Sequence, residues 1–216
     1  MRPGPHPLSA GGRGAGRRSA DPVLGPALGR AFYDRPTTIV ARALIGCRLS
    51  RSAPEGLRLG RVVETEAYVA RDPANHAFRG PTERNRSMFG RPGTLYVYRI
   101  HQVHCANAVT CPGEAVLLRA VEPLTVGLGD ARGPGRLCRA FGLTRDDDGA
   151  DLTTGGLRIF APDQPSRGPV VRAPRVGIRM ATDRLLRFAL KGSPYVSSPR
   201  PWRTRPVPGN PDRVDR

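Results

Sequence analysis

The stretch Arg61-Val62-Val63-Glu64-Thr65-Glu66-Ala67-Tyr68-Val69 carries two carboxylates and a phenol at every second position. On a β-strand successive side chains point to opposite faces, so Glu64, Glu66 and Tyr68 share one face while Val63, Thr65 and Ala67 share the other. Two carboxylates on a covered face are costly without partners. Spacing alone leaves two readings open: a solvated outer face, or a buried polar site with its partners elsewhere in the chain. Other segments supply such partners. They are His76 in Asn75-His76-Ala77-Phe78-Arg79-Gly80, Tyr96 and Tyr98 in Gly93-Thr94-Leu95-Tyr96-Val97-Tyr98, and Arg119 in Val116-Leu117-Leu118-Arg119-Ala120-Val121-Glu122-Pro123. An arginine within an apolar strand needs a carboxylate, and a strand-borne glutamate is the natural one.

Metal chemistry is not expected. Cys47, Cys105, Cys111 and Cys138 contain no C-x-x-C pair, and His101 and His104 lack the tight ligand pairing of structural zinc beside Cys105 and Cys111. The thiols are expected to be reduced, and no cofactor is implied. The formal net charge is +17, and Lys191 is the one lysine among the basic residues. Such an excess suits a polyanionic partner, because guanidinium groups that neutralise phosphates release condensed counterions. A GC-rich coding bias inflates Arg, Gly, Pro and Ala in the same way, so charge alone leaves both explanations standing. No apolar run approaches the ~18–20 residues of a membrane span. The N-terminus is rich in Pro, Gly and Arg where a secretory signal is apolar. No membrane association is expected, and the expected location is cytoplasmic, with the nucleoid.

The elements that must hold these side chains alternate in type. Helical spacing runs over Thr37–Ile45, after Pro36 and up to Gly46. A short strand is expected at Cys47–Leu49, a turn at Pro54-Glu55-Gly56 and a strand at Leu57–Val69. Thr82 reads as the N-cap of a short helix ending near Phe89. Leu95–Ile100 and Ala115–Val121 alternate as strands with a β-connection between them, and Leu137–Leu143 as a helix. Strands near Leu157–Phe160 and Val170–Ile178, a helical turn and a last strand at Leu186–Leu190 complete the series. Mixed elements without βαβ repeats predict an α+β single domain, a largely antiparallel curved β-sheet with short helices around it. Its expected extent is 29–198, between basic tails at 1–28 and 199–216 whose composition predicts disorder.

Taken in order, several segments resemble the alkyladenine (3-methyladenine) DNA glycosylase family from about Phe32 to Ser197. They are Ala-Arg-Ala-Leu-Ile-Gly at 41–46, Val-Glu-Thr-Glu-Ala-Tyr at 63–68, His76 in its loop, Arg-Asn-Arg-Ser-Met-Phe-Gly at 84–90 and Pro-Gly-Thr-Leu-Tyr-Val-Tyr at 92–98. Leu-Arg-Ala-Val-Glu-Pro at 118–123, Gly-Pro-Gly-Arg-Leu-Cys at 133–138, Arg-Val-Gly-Ile at 175–178 and Lys-Gly-Ser-Pro-Tyr-Val-Ser at 191–197 follow. Each is weak alone; their shared order is specific.

The resemblance implies a monofunctional hydrolase that flips a damaged purine out of double-stranded DNA and leaves an abasic site. Tyr68 is then expected on one face of the base, with His76 and Tyr98 on the other, and Asn107 near the pocket entrance. Glu66 is the implied general base, acting on a water held by Arg119 and by main chain near Val176. Glu64 is expected in a structural ion pair. Lys191 falls where the resemblance assigns no catalytic amine, so no strand cleavage is expected. A monomer suffices to read one flipped base. The alternative is a non-catalytic damage-binding module with a degraded pocket.

Two departures from the family bear on this. His101 stands where a wedge tyrosine is usual, with Gln102 in place of a glycine, and the run to Asn107 is one residue shorter. A one-residue slip in a strand reverses its faces unless a bulge or turn absorbs it. The connection from Pro123 to Gly133 is also short, lacking a basic helical stretch, and this predicts a weaker clamp on DNA.

Overall fold

The computed structural model describes residues 24–162 and 168–202. Its backbone is organised by one long strand. β1 (Arg48–Ala53) turns through Pro54 and Glu55 into β2 (Gly56–Tyr68), with Ala53 opposite Gly56. The first half of β2 is half exposed and pairs with β1; from Val62 to Ala67 every residue is buried. The burial has a topological cause. This half is flanked by β5 (Ala115–Pro123) on one edge and β8 (Arg187–Leu190) on the other. On one face, Thr65 donates its hydroxyl to Ala41 O of α2 (Thr37–Ala43) at 2.8 Å.

β3 (Leu95–Ile100), β4 (Val103–Val109), β6 (Leu157–Phe160) and β7 (Val170–Ala173) complete a curled antiparallel sheet. The order is β3-β4-β5-β2-β1-β6, with β8 also on β2 and β7 on β8. Two helices accompany α2, which packs on β2 and β5: α1 (Arg30–Tyr33), and α3 (Pro134–Phe141), which packs on β4 and β5. α3 has proline at its first position and ends in left-handed Gly142, a start and a stop that suit both residues. A Cβ on Gly135 would fall 2.9 Å from Val103 Cβ, so its absence lets α3 close on the β3–β4 hairpin. The main core has Leu44, Leu49, Val63, Leu118, Phe141 and Ile159 among its members, and a smaller cluster gathers Met88, Tyr96, Val109 and Ala115. The α+β single domain with a curved antiparallel sheet is therefore as expected from sequence.

Several local expectations are corrected. The strand at Val170–Ile178 stops at Ala173, before Pro174, and the rest is irregular. The helix expected from Thr82 is a 3-10 turn at Arg86–Phe89; Thr82 bonds Asn85 Oδ1 instead of capping it. β1 runs to Ala53 rather than Leu49. Next to the expected extent of 29–198, Ala27 bridges Phe160 and Trp202 packs on the core. The remainder of the two basic tails, 1–23 and 203–216, lies outside the described residues.

The short 124–132 connection forms no helix. It folds back on β2 and β5 through Leu124 N–H to Leu59 O, buried Leu128 and Ala131, and a bridge from Ala120 to Arg132. The run expected to be one residue short before Asn107 holds no strand slip. β3 and β4 stay in unbroken register from Leu95 opposite Ala108 to Ile100 opposite Val103, leaving His101 and Gln102 as a two-residue tip. Among those two only His101 has positive φ, at 51°, a position glycine usually fills.

Candidate active site

The pairing of β2 with β5 is regular up to Val62 opposite Val121 and again from Thr65 opposite Leu118. Between them the register slips at Glu64 and Ala120 and then returns. The irregularity falls on the two strand residues that carry opposite charges, Glu64 and Arg119, and bulges of this kind re-aim side chains.

Arg119 donates from Nε to Glu64 Oε1 at 3.0 Å and lies 3.2 Å from Glu66 Oε1 through Nη1. Glu64 takes a second guanidinium, Arg187 Nε at 2.6 Å, and accepts from the Ser197 amide at 2.7 Å and hydroxyl at 2.9 Å. The expectation of a structural ion pair for Glu64 holds, with more partners than expected. Sequence reading gave Arg187 and Ser197 no role. Arg187 sits in a four-residue strand whose faces are both covered, so periodicity carried no signal.

Glu66 is fully buried. Its Oε1 accepts from the Val176 amide at 2.8 Å and its Oε2 from the Tyr68 hydroxyl at 3.0 Å. The Val176 main chain thus bonds the carboxylate itself, where the sequence reading had it hold a water. Burial raises the Glu66 pKa; Arg119, the Val176 amide and the Tyr68 hydroxyl pull the other way without cancelling it. Burial likewise holds the Tyr68 phenol protonated far above its ordinary range, with the Glu66 charge adding to the effect. Tyr68 is therefore a donor to Glu66 at any physiological pH.

A cavity of about 390 Å³ opens against this network, and Tyr68, His76, Tyr98, Asn107, Arg119 and Val176 all line it. That volume is ordinary for a small-molecule pocket and ample for a purine. His76 and Tyr98 meet edge to face, with ring centroids 4.3 Å apart. His76 Nδ1 lies 3.2 Å from the Tyr96 hydroxyl, and Tyr96 lies beside Tyr98 at 5.6 Å. Tyr96 was offered from sequence only as a partner for the carboxylates; here it meets His76 instead, and the i, i+2 spacing puts it on one strand face with Tyr98. Burial, helped by Arg84, lowers the His76 pKa, so the imidazole is neutral at pH 7. Asn107 is buried, and its amide nitrogen donates to Tyr96 O at 3.0 Å and to Cys105 O at 3.4 Å. Only its carboxamide oxygen is left to a ligand.

His101 stands apart from the cavity lining, at the exposed hairpin tip, between Ile100 and Val103, which are both exposed apolar residues and line the cavity mouth. A second hollow adjoins the first, sharing His76, Tyr96, Tyr98 and Ile100, and is lined further by Arg84, Arg99 and Arg145. Lys191 is exposed just after β8 and lines neither hollow. The four cysteines are free, and among the described residues no group of His, Cys, Asp and Glu could hold a metal ion. No helix among them is long and apolar enough to cross a membrane.

Comparison with known proteins agrees with the geometry. The family model described as methylpurine-DNA glycosylase matches residues 31–194. A protein of Methanoculleus marisnigri is 46% identical over 187 residues, 77% of this chain and 96% of its own length. One from Anaeromyxobacter dehalogenans strain 2CP-1 is 48% identical, covering 81% of this chain and 87% of its own. One from Agrobacterium fabrum is 43% identical, covering 80% and 93%. All three bear the name "Putative 3-methyladenine DNA glycosylase".

Proposed function

The chain belongs to the methylpurine-DNA glycosylase family and is a hydrolase of N-glycosyl bonds in DNA, and on that premise we propose that Glu66 activates the water that releases a damaged purine flipped from the duplex. The observation that carries this reading is the setting of Glu66, a buried carboxylate held by Arg119, Tyr68 and the Val176 amide, all three from residues that line one purine-sized cavity.

The chemistry follows from that setting. Oε2 accepts one bond, from Tyr68, and a carboxylate oxygen has room for another, here a water. The raised pKa makes Glu66 a stronger proton acceptor than an ordinary carboxylate, while Arg119 favours its ionised form. The water oxygen bonds to the sugar C1′, the bond from C1′ to the purine nitrogen breaks with its electron pair leaving on the base, and the water proton passes to Glu66. Before that transfer the carboxylate opposes positive charge growing on the sugar. Arg119 holds Glu66 in position and is itself fixed by Glu64.

Tyr68, His76 and Tyr98 bind the base by stacking, with the oxygen of Asn107 a further contact. Electron-rich rings favour cationic purines, so 3-methyladenine and 7-methylguanine are the proposed main substrates. These bases leave without protonation. Hypoxanthine is neutral and needs a proton to leave. The product is an abasic site in an intact strand, because among the described residues no lysine lines the cavity. His101, with Ile100 and Val103 beside it, fills the gap in the duplex, and the enzyme acts as a monomer in base-excision repair.

The test uses end-labelled duplexes carrying one hypoxanthine and methylated duplexes carrying 7-methylguanine, with half of each sample heated in alkali. Breaks only after alkali, absent with Glu66→Gln, support the reading. Breaks without alkali overturn the monofunctional assignment. Lesion-selective binding without base release from either substrate overturns the catalytic role of Glu66.

A further inference from the structure

Two charged side chains beside the cavity take no part in the chemistry above. Arg175 and Asp72 are both fully buried and pair at 2.6 Å. Asp72 belongs to the loop after β2, whose next residues Pro73 to His76 line the cavity; Arg175 precedes Val176 to Met180, which also line it. Arg175 donates from Nη1 to Ala67 O at 3.2 Å, and its guanidinium carbon lies 4.8 Å from the centroid of the Tyr68 ring. Tyr68 lines the cavity and Arg175 does not, so the guanidinium covers the ring face turned away from it. Nε and Nη2 of Arg175 have no hydrogen-bond partner among the described residues.

We infer that the Asp72–Arg175 pair sets the charge behind Tyr68 and so decides whether the pocket favours cationic or neutral purines. The inference rests on Tyr68 being the stacking platform proposed above. A base stacked about 3.5 Å in front of the ring lies roughly 8 Å from the guanidinium. In a site poor in water, one unbalanced charge at that range changes the affinity for a cationic base on the order of tenfold. Asp72, at 2.6 Å from Arg175, cancels that charge and keeps the ring open to cations. Neutral purines feel neither state.

The measurement is equilibrium binding of the full chain, at one ionic strength, to three duplexes. One carries 7-methylguanine, one ethenoadenine and one no lesion, with the damaged nucleotides bearing a 2′-fluorine so that no base is released. Asp72→Asn leaves the guanidinium uncompensated and is expected to lower the preference for 7-methylguanine over ethenoadenine about tenfold. Asp72→Asn combined with Arg175→Gln removes both charges and is expected to restore the wild-type ratio, whatever happens to the absolute affinities. Arg175→Gln alone does not lower the ratio. Asp72→Ser replaces Asp72→Asn if that variant does not fold. A ratio unmoved by the loss of Asp72, or a fall that the double variant does not reverse, overturns the charge proposal alone. A wild-type protein that prefers neither lesion to the undamaged duplex overturns the stacking platform and this inference with it.

Discussion

A general base works only when ionised, and burial has moved the Glu66 carboxyl upward from the ordinary value of 4.5. As pH falls, the ionised fraction of Glu66 is therefore lost earlier than for an exposed glutamate. Release of 7-methylguanine, which needs no protonation, should decline on the acid side with a midpoint above the ordinary carboxylate range and stay level on the alkaline side. Release of hypoxanthine should fall on both sides, because its departure also requires a proton. Single-turnover rates across pH 4–9 check this, and coincident profiles for the two bases would remove the distinction. Replacing Glu66 by Gln should lower release by at least ~10²-fold, the usual scale of general-base catalysis, while leaving lesion binding in place. Glu64 predicts a different loss. Its carboxylate compensates two buried guanidiniums, Arg119 and Arg187, and accepts from Ser197. Glu64→Gln leaves that charge unbalanced and should destabilise the fold by about 3–5 kcal/mol, seen as a lower urea midpoint at unchanged slope. Alternation in residues 63–68 made Glu64 and Glu66 legible as neighbours on one face. Which of them would be held by residues that line the cavity was not, because that depends on Val176, about a hundred residues away in sequence, and on a local slip in strand register.

At the level of elements, long patterned strands and helices bounded by Gly or Pro were legible, and segments whose form depends on a neighbour were not. β2 announces itself by alternation, and α3, expected at Leu137–Leu143, starts a turn earlier at Pro134 and stops at Phe141 before Gly142. The 170–178 stretch reads as a strand because it is apolar, yet only its first four residues find the edge of β8. The tip of the β3–β4 hairpin shows the same dependence. Only His101 and Gln102 lie between Ile100 and Val103, the pairing of both strands is unbroken, and Tyr96, Tyr98 and Asn107 line the cavity. The shortening leaves His101 at φ 51°, where a side chain with a Cβ is strained. His101→Gly should relieve that strain and stabilise the fold by about 0.5–1 kcal/mol. If the tip enters the duplex as proposed, the same change should weaken preference for lesion over undamaged DNA. A thermal melt and a competition binding assay together test it. Loss of both stability and selectivity would show that the histidine supports the turn through contacts outside φ, and unchanged selectivity would remove it as a wedge.

The charge of the whole chain, +17, says that the partner is a polyanion only if the charge is gathered where the partner lies. The fold supplies that gathering beside the cavity. Arg84, Arg99 and Arg145 line the hollow that adjoins the base cavity, and the two share His76, Tyr96, Tyr98 and Ile100. On the proposed reading a flipped nucleotide stays tied to its strand, so the phosphates on either side pass close to the cavity mouth, and this hollow is a basic surface beside it. The three arginines come from the loop before the 3-10 turn, from β3 and from the 3-10 turn at Arg145–Asp147, which is why no run of basic residues marks the surface in sequence. Arg145 is partly committed, to Val97 O and Asp148, whereas Arg99 is exposed near the end of β3. Arg99→Ala should therefore weaken binding to damaged and undamaged duplexes by similar factors, since a phosphate contact carries no information about the base. It should also reduce the slope of log affinity against log salt by about 1, the counterion equivalent of one phosphate. Affinities measured from 50 to 300 mM salt for wild type and variant give both numbers. A loss confined to the damaged duplex at unchanged slope would instead put Arg99 against the base, and the second hollow would then belong to lesion recognition rather than to the strand that carries it.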